Sequence, residues 1–183
     1  MGSGKTTIGK LISEKTQYRF IDTDLLIETE ERLTCLQIIE TKGQQCFRQK
    51  ETELLQRLSR QDLHNTIIAT GGGMPCFNNN IDTLNHIGTT IYLRWTAQDL
   101  TTRLLLTDLN TRPLLKHLSK QQLQQQIEQQ INQRERFYRQ AHHTIHAPLN
   151  TLSENNDNEI ADYIIKQYIH DYQRNTKSDN RRI

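Results

Sequence analysis

The six residues Gly2-Ser3-Gly4-Lys5-Thr6-Thr7 constrain this chain more than any other segment. They match the second half of G-x-x-x-x-G-K-[ST], a loop whose backbone amides cradle phosphates, whose lysine reaches the β and γ groups and whose hydroxyl holds magnesium. Gly4 to Thr6 also open a helical pattern with Ile8, Leu11 and Ile12 on its apolar face. That pattern aims the positive end of a helix dipole at the phosphates. The competing reading is a glycine-rich helix start arising by chance, the ordinary false positive of a short motif.

Counting back five places from Gly4 puts the first glycine of the motif two positions before Met1, and the strand expected ahead of the loop is missing as well. In nucleotide-binding folds of this type that strand is central, and an open parallel sheet that lacks a central member is left with unpaired backbone groups. Two accounts follow: a start placed too late, at a methionine inside the loop, or an unstable remnant. The intact motifs downstream favour the first.

Beyond the loop, strand and helix patterns alternate. Leu63 to Ala69 and Thr90 to Trp95 are short apolar runs, rich in β-branched or aromatic residues, with the look of buried parallel strands. Tyr18 to Ile21 and Thr144 to Ala147 are weaker copies. Helical spacing appears at Ile8, Leu11 and Ile12, at Leu54, Leu55 and Leu58, at Leu100, Leu104 and Leu105, and at Ile160, Ile164 and Tyr168. The alternation predicts an α/β fold. The glutamine-rich stretch from Gln121 to Gln133 carries Leu123, Ile127 and Ile131 at intervals of four, so it is an amphipathic helix and not low complexity. Thr107 to His117, with Arg112 and Pro113, lacks either pattern and is expected to be a mobile loop between helices. The polar end beyond Gln173 is expected to fray.

At 183 residues one domain suffices. The formal charge of +2 is spread along the chain apart from Arg181 and Arg182, which argues against a nucleic-acid groove and for small-molecule partners. Cys35, Cys46 and Cys76 are odd in number and lack C-x-x-C spacing, as in a reduced cytoplasmic protein. No apolar run is long enough for a secretory leader or a membrane span.

The remaining signals sit where open α/β sheets bind ligands, at the carboxyl ends of strands. Phe20-Ile21-Asp22-Thr23-Asp24 places two carboxylates at the end of a short strand, on one face if the extended path continues. One suits magnesium through its water shell and the other a substrate hydroxyl, while a helix N-cap at Asp22 or Asp24 is the structural alternative. Phe47-Arg48-x-x-Glu51 opens a helix, and Gly71-Gly72-Gly73 follows a strand, offering amides where side chains would block approach. Arg134 lies eleven residues after Leu123, about 20° away on a helical wheel, so it projects from the apolar face. An inward arginine requires an anion: with Arg48 it suits paired donors to a carboxylate, or else it closes an internal ion pair. A triphosphate cradle, an aspartate for hydroxyls, two arginines and a glycine platform describe a kinase for a small acidic polyol.

This set resembles the shikimate kinases: the phosphate loop at 2 to 7, F-x-D-x-D at 20 to 24, F-R-x-x-E at 47 to 51, the glycine triplet at 71 to 73, Arg112-Pro113, and R-x-x-x-Y at 134 to 138. The resemblance covers nearly the whole chain and implies a three-layer P-loop kinase fold in one domain, residues 1 to 173. Its sheet would have five strands were the first present, its lid would lie at about 107 to 118, and residues 174 to 183 would form a tail. It further implies a cytoplasmic monomer that uses ATP and Mg²⁺ to phosphorylate the 3-hydroxyl of shikimate. Gly2, Ser3, Gly4, Lys5, Thr6, Thr7 and Arg112 would bind ATP, with Thr6 on the metal and Asp22 on its waters. Lys5 and Asp24 would be catalytic, and Asp24, Arg48, Gly71, Gly72, Gly73 and Arg134 would bind shikimate. The segment Arg134-Glu-Arg-Phe-Tyr138 departs from the family pattern by carrying Arg136 where proline is usual. The rival readings are a gluconate or nucleoside monophosphate kinase, which would need a different acceptor pocket, and a non-catalytic nucleotide-binding protein.

Overall fold

The computed structural model describes residues 2–106, 118–148 and 155–169. In chain order these form α1 (Lys5–Thr16), β1 (Arg19–Asp22), α2 (Thr23–Glu31), α3 (Cys35–Lys42), α4 (Gln44–Leu58), β2 (Thr66–Ala69), α5 (Asn80–Ile87) and β3 (Ile91–Arg94). There follow α6 (Ala97–Leu106), α7 (Lys120–Tyr138), β4 (His143–His146) and α8 (Asn156–Ile164), which runs on into a π-turn at Ile165–Ile169. The strand and helix runs expected from periodicity are all present, and the glutamine-rich stretch lies inside α7.

Three helices escaped the periodicity. α2, α3 and α5 have only eight or nine residues each, too few for an apolar stripe to repeat. Helices this short hold by caps and packing rather than propensity. Thr34 and Gln37 form a reciprocal capping box at the start of α3, and Ile27 and Ile38 are fully buried beneath α2 and α3. β2 is shorter than its apolar run, since Asn65 adopts a left-handed φ of 52° and the strand begins only after it. Asn65 still contributes its carbonyl, which accepts from the Arg19 amide at 2.8 Å and sets the start of the β1/β2 ladder.

Both strand pairings are parallel. Phe20 lies opposite Ile67 and Asp22 opposite Ala69; Ile91 lies opposite His143 and Arg94 opposite His146. The pairs do not join: the expected parallel sheet is present as two halves, β1-β2 and β3-β4. A cavity of about 1160 Å³ separates them, walled by Ile67 and Ile68 of β2, Tyr92 and Leu93 of β3, Ile8 and Ile12 of α1, and Ile127 and Ile131 of α7. With strands spaced ~4.8 Å apart, a rise of ~3.3 Å per residue and layers ~10 Å apart, each strand residue takes up roughly 160 Å³. The space therefore matches a strand of about seven residues. It also explains why β2 and β3, read as buried runs, are only half-buried.

The core is divided in the same way. Ile21, Ile27, Ile38, Phe47, Leu54 and Leu58 pack on the β1-β2 half. Trp95, Leu104, Leu123, Ile127, Ile145 and Ile160 pack with α1 on the other.

Candidate active site

The phosphate loop takes the path its sequence predicts. Gly2 and Gly4 have φ of 76° and 81°, a left-handed conformation that glycine adopts without Cβ strain, and the Gly4 carbonyl accepts the first helical bond from Ile8 at 2.8 Å. The first amides of an α-helix have no acceptor within the helix, the arrangement that phosphate-binding turns use. Lys5 Nζ donates to Ser3 Oγ at 3.2 Å, and Thr6 Oγ1 donates to Asp22 Oδ2 at 2.7 Å. Thr7 is exposed on α1.

Of the two sequence readings of Asp22, the helix N-cap is present. It is the N-cap of α2, with Oδ1 accepting from the Asp24 and Leu25 amides at 3.0 and 3.2 Å, while its second oxygen meets Thr6. The expectation that Asp22 and Asp24 share a face through an extended path needs correction. The strand ends at Asp22 and a helix begins at Thr23, so Asp24 turns inward from the first turn of α2. There it meets the acceptor residues. Burial, then the charge of Asp22, pushes the Asp24 carboxyl above the usual carboxylate range, and Lys5 opposes the shift. Donor and acceptor ends of the site are therefore within electrostatic reach of each other.

The glycine triplet follows β2 as expected. The Gly71 amide donates to the buried Thr23 Oγ1 at 3.0 Å, tying the triplet to the β1-α2 corner. A Cβ on Gly71 would overlap Asp24 Oδ1 and lie 3.0 Å from Glu51 Oε1, so glycine is required there for space. These same two oxygens are buried and have no hydrogen-bond partner among the described residues. Two orphaned acceptors converging on one backbone position leave a demand for a donor such as a ligand hydroxyl.

The two arginines differ. Arg48 pairs internally: its Nη1 lies 2.6 Å from Glu51 Oε2, its guanidinium stacks 4.6 Å from the Phe77 ring centroid, and Gly73 gives it room. Glu51 is fully buried; burial pushes its carboxyl up, and Arg48 opposes this through its hydrogen bond and charge. Arg134, by contrast, has no carboxylate within ion-pair distance among the described residues, though its charge is felt at Glu51, Cys76 and Tyr138. Lys5, Gly71, Gly72 and Arg134 all line the cavity between the half-sheets, which opens into this site.

Some participants were not legible in the sequence. Arg103 on α6 donates from Nε to the Gly2 carbonyl at 3.2 Å, pairs with Asp157 of α8 at 2.8 Å and stacks 4.5 Å from the Trp95 ring centroid. Leu104, fully buried, backs Gly2. Thr23 and Tyr138 brace the triplet. Tyr138 alone had a signal, as part of R-x-x-x-Y. Arg112 and the segment read as a lid lie outside the described residues, except for Leu118, as do residues 174 to 183. Among the described residues no three His, Cys, Asp or Glu side chains gather as a metal cluster, no helix is long and apolar enough to cross a membrane, and the three cysteines are free.

Comparison with known proteins gives one consistent result. The shikimate kinase family model matches residues 1–169. A shikimate kinase of Azobacteroides pseudotrichonymphae is 40% identical over 141 residues, covering 77% of this chain and 82% of the relative. One from Parabacteroides distasonis is 35% identical over 166 residues, 91% of this chain and 94% of the relative. Among solved structures, shikimate kinase from Bacteroides thetaiotaomicron superposes with a TM-score of 0.81 at 30% identity, over 91% of this chain and 92% of its own. The Acinetobacter baumannii enzyme in complex with shikimate gives 0.74 at 29%, over 93% and 89%.

Proposed function

This chain belongs to the shikimate kinase family, and from that premise we propose that it moves the γ-phosphoryl group of ATP to the 3-hydroxyl of shikimate, giving shikimate 3-phosphate and ADP. Phosphoryl transfer proceeds through a loose transition state, so catalysis rests on positioning and charge neutralisation more than on a strong base. Lys5 and the amides of Gly2, Ser3, Gly4, Thr6 and Thr7 hold the phosphates, with Arg112 as a further ATP contact. Arg134 grips the substrate carboxylate, assisted by Arg48, and the glycine triplet forms the platform. Asp24 orients the 3-hydroxyl and takes its proton as the new P–O bond forms and the bond to the departing ADP breaks. The raised affinity of Asp24 for a proton suits that role.

The residues near Thr6 fit a magnesium ion. Thr6 Oγ1 and Asp22 Oδ2, 2.7 Å apart, form a hard oxygen pair at the phosphate loop, and Mg²⁺ commonly takes one or two protein oxygens, with phosphates and water completing its shell. Bound there, the ion would neutralise charge on the β- and γ-phosphates. Free, half-buried cysteines accord with a cytoplasmic protein, and the family resemblance supports a monomer acting on small molecules.

The observation that carries this reading is the meeting of the two ends of the site at Asp24. Its orphaned Oδ1 faces Gly71, the charge of Lys5 reaches it, and Arg134, which has no carboxylate partner among the described residues, acts on the neighbouring Glu51 through its charge. The test is ADP release on addition of shikimate, gluconate or a nucleoside monophosphate. Turnover with shikimate alone is expected, abolished by EDTA; turnover with another acceptor overturns the assignment. Arg134→Ala should raise the shikimate KM about tenfold and leave the ATP KM nearly unchanged, since a charge-assisted bond is worth roughly 1.5 to 3 kcal/mol.

A further inference from the structure

The last residue of R-x-x-x-Y has no part in the reaction as assigned above, yet its hydroxyl lies between two acceptor-site groups. Tyr138 Oη donates to the Gly72 carbonyl at 2.5 Å. Arg134, one turn earlier on α7, lies close enough for its charge to act on the same hydroxyl. Its ring packs against Tyr92 of β3, with centroids 5.1 Å apart, which fixes its direction.

The accounting of triplet hydrogen bonds shows what this contact does. The Gly71 carbonyl accepts from the Met74 amide at 3.1 Å, and the Gly73 carbonyl accepts from the Cys76 amide at 2.9 Å. Tyr138 engages the Gly72 carbonyl, and Thr23 engages the Gly71 amide. All three carbonyls are therefore occupied within the protein. Among the described residues, the Gly72 and Gly73 amides are left as the free donors. A trans peptide unit is planar and points its C=O and N–H in opposite directions, so holding the Gly72 carbonyl toward Tyr138 aims the Gly73 amide the other way. Glycine on both sides of that peptide makes its rotation cheap unless something holds it.

We propose that Tyr138 is a positioning residue for the acceptor: its hydroxyl locks the Gly72–Gly73 peptide with the amide donor outward and orients Arg134 beside it, presetting both for an anionic, hydroxylated substrate. This rests on the acceptor site as assigned above. Burial holds the Tyr138 phenol above its ordinary value, so it remains a donor at neutral pH.

Tyr138→Phe removes only the hydroxyl and keeps the ring on Tyr92. The shikimate KM is expected to rise about five- to tenfold, with the ATP KM within twofold and the thermal midpoint nearly unchanged, a loss that corresponds to roughly one neutral hydrogen bond. Hydrogen exchange in the substrate-free protein supplies a readout independent of turnover: the hydrogen-bonded amides of Gly71, Met74 and Cys76 should exchange faster in the variant, those of α1 at the parent rate. Failure of the parent to use shikimate would refute the functional reading, and the exchange result would still decide whether Tyr138 holds the triplet. A shikimate KM within twofold of the parent, equal rises in both KM values, or unchanged exchange at the triplet would each overturn the proposal.

Discussion

Replacing Gly71 with alanine tests the geometry of the acceptor site more directly than removing any charged group. The new Cβ would overlap Asp24 Oδ1, lie 3.0 Å from Glu51 Oε1 and 3.2 Å from Asp24 Cγ. Glu51 is fully buried and tied to Arg48 at 2.6 Å, so it has little room to retreat. Asp24 must give way by about 1 Å to restore ordinary contact, and a displacement of that size at a reacting group costs about a hundredfold in rate. Overpacking a filled site costs about 1 to 3 kcal/mol, which for a domain of this size lowers the thermal midpoint by roughly 5 °C. In a coupled assay of ADP release, kcat/KM for shikimate should fall about a hundredfold with the ATP KM nearly unchanged, because the phosphate loop is not touched. Gly88→Ala is the matched control. Its φ is −177°, its added Cβ meets nothing within 4 Å, and it should behave as the parent does. A Gly71→Ala enzyme within threefold of the parent would show that Asp24 and Glu51 do not converge on this position.

Lys5→Ala should lower turnover by at least about a hundredfold even with both substrates saturating, since loss of one preorganised charge contact has that scale; parent-like turnover would refute the phosphate-loop reading. Glu51 supplies a test by pH. Its carboxyl is raised in the folded state, so the folded chain binds more protons than the unfolded one between about pH 4.3 and that raised value, and stability must fall as pH rises through this window. Glu51→Gln should reduce that slope in urea midpoints measured across the same range, the raised Asp24 carboxyl supplying a remainder of the same sign, and an unaltered slope would mean that Glu51 does not contribute. An apolar strand of about seven residues fused ahead of Gly2 should raise the thermal midpoint and slow amide exchange in β2 and β3 by filling the cavity between them. A polar extension of equal length should not, and equal effects from the two would argue against strand pairing.

Most of the fold was legible because the signals were local. The phosphate loop is a contiguous backbone motif, the long helices repeat their apolar residues over several turns, and Arg134 could be placed on the inner face of α7 by its angle from Leu123. Short helices held by caps gave little periodic signal. The corner at Asp22 stayed open between continued strand and helix N-cap because its cap and its strand end fall on one residue, and only the paired ladder with Ala69 shows where extension stops.

What the sequence by itself determined was chemistry of known type at known spacing: phosphate cradle, aspartates, triplet and arginines, in the order of one kinase family. Only the tertiary structure decided how they divide the work. It paired Arg48 with Glu51 and gave Arg134 no carboxylate among the described residues, turned Asp24 inward on a helix, and placed the Tyr138 hydroxyl against Gly72, 66 residues away along the chain. It also set Arg103 and Asp157 beside the phosphate loop. The reason is the same in each case: partners distant in sequence meet through packing of the core, and no local periodicity records which of two equally charged side chains finds a counter-ion on folding.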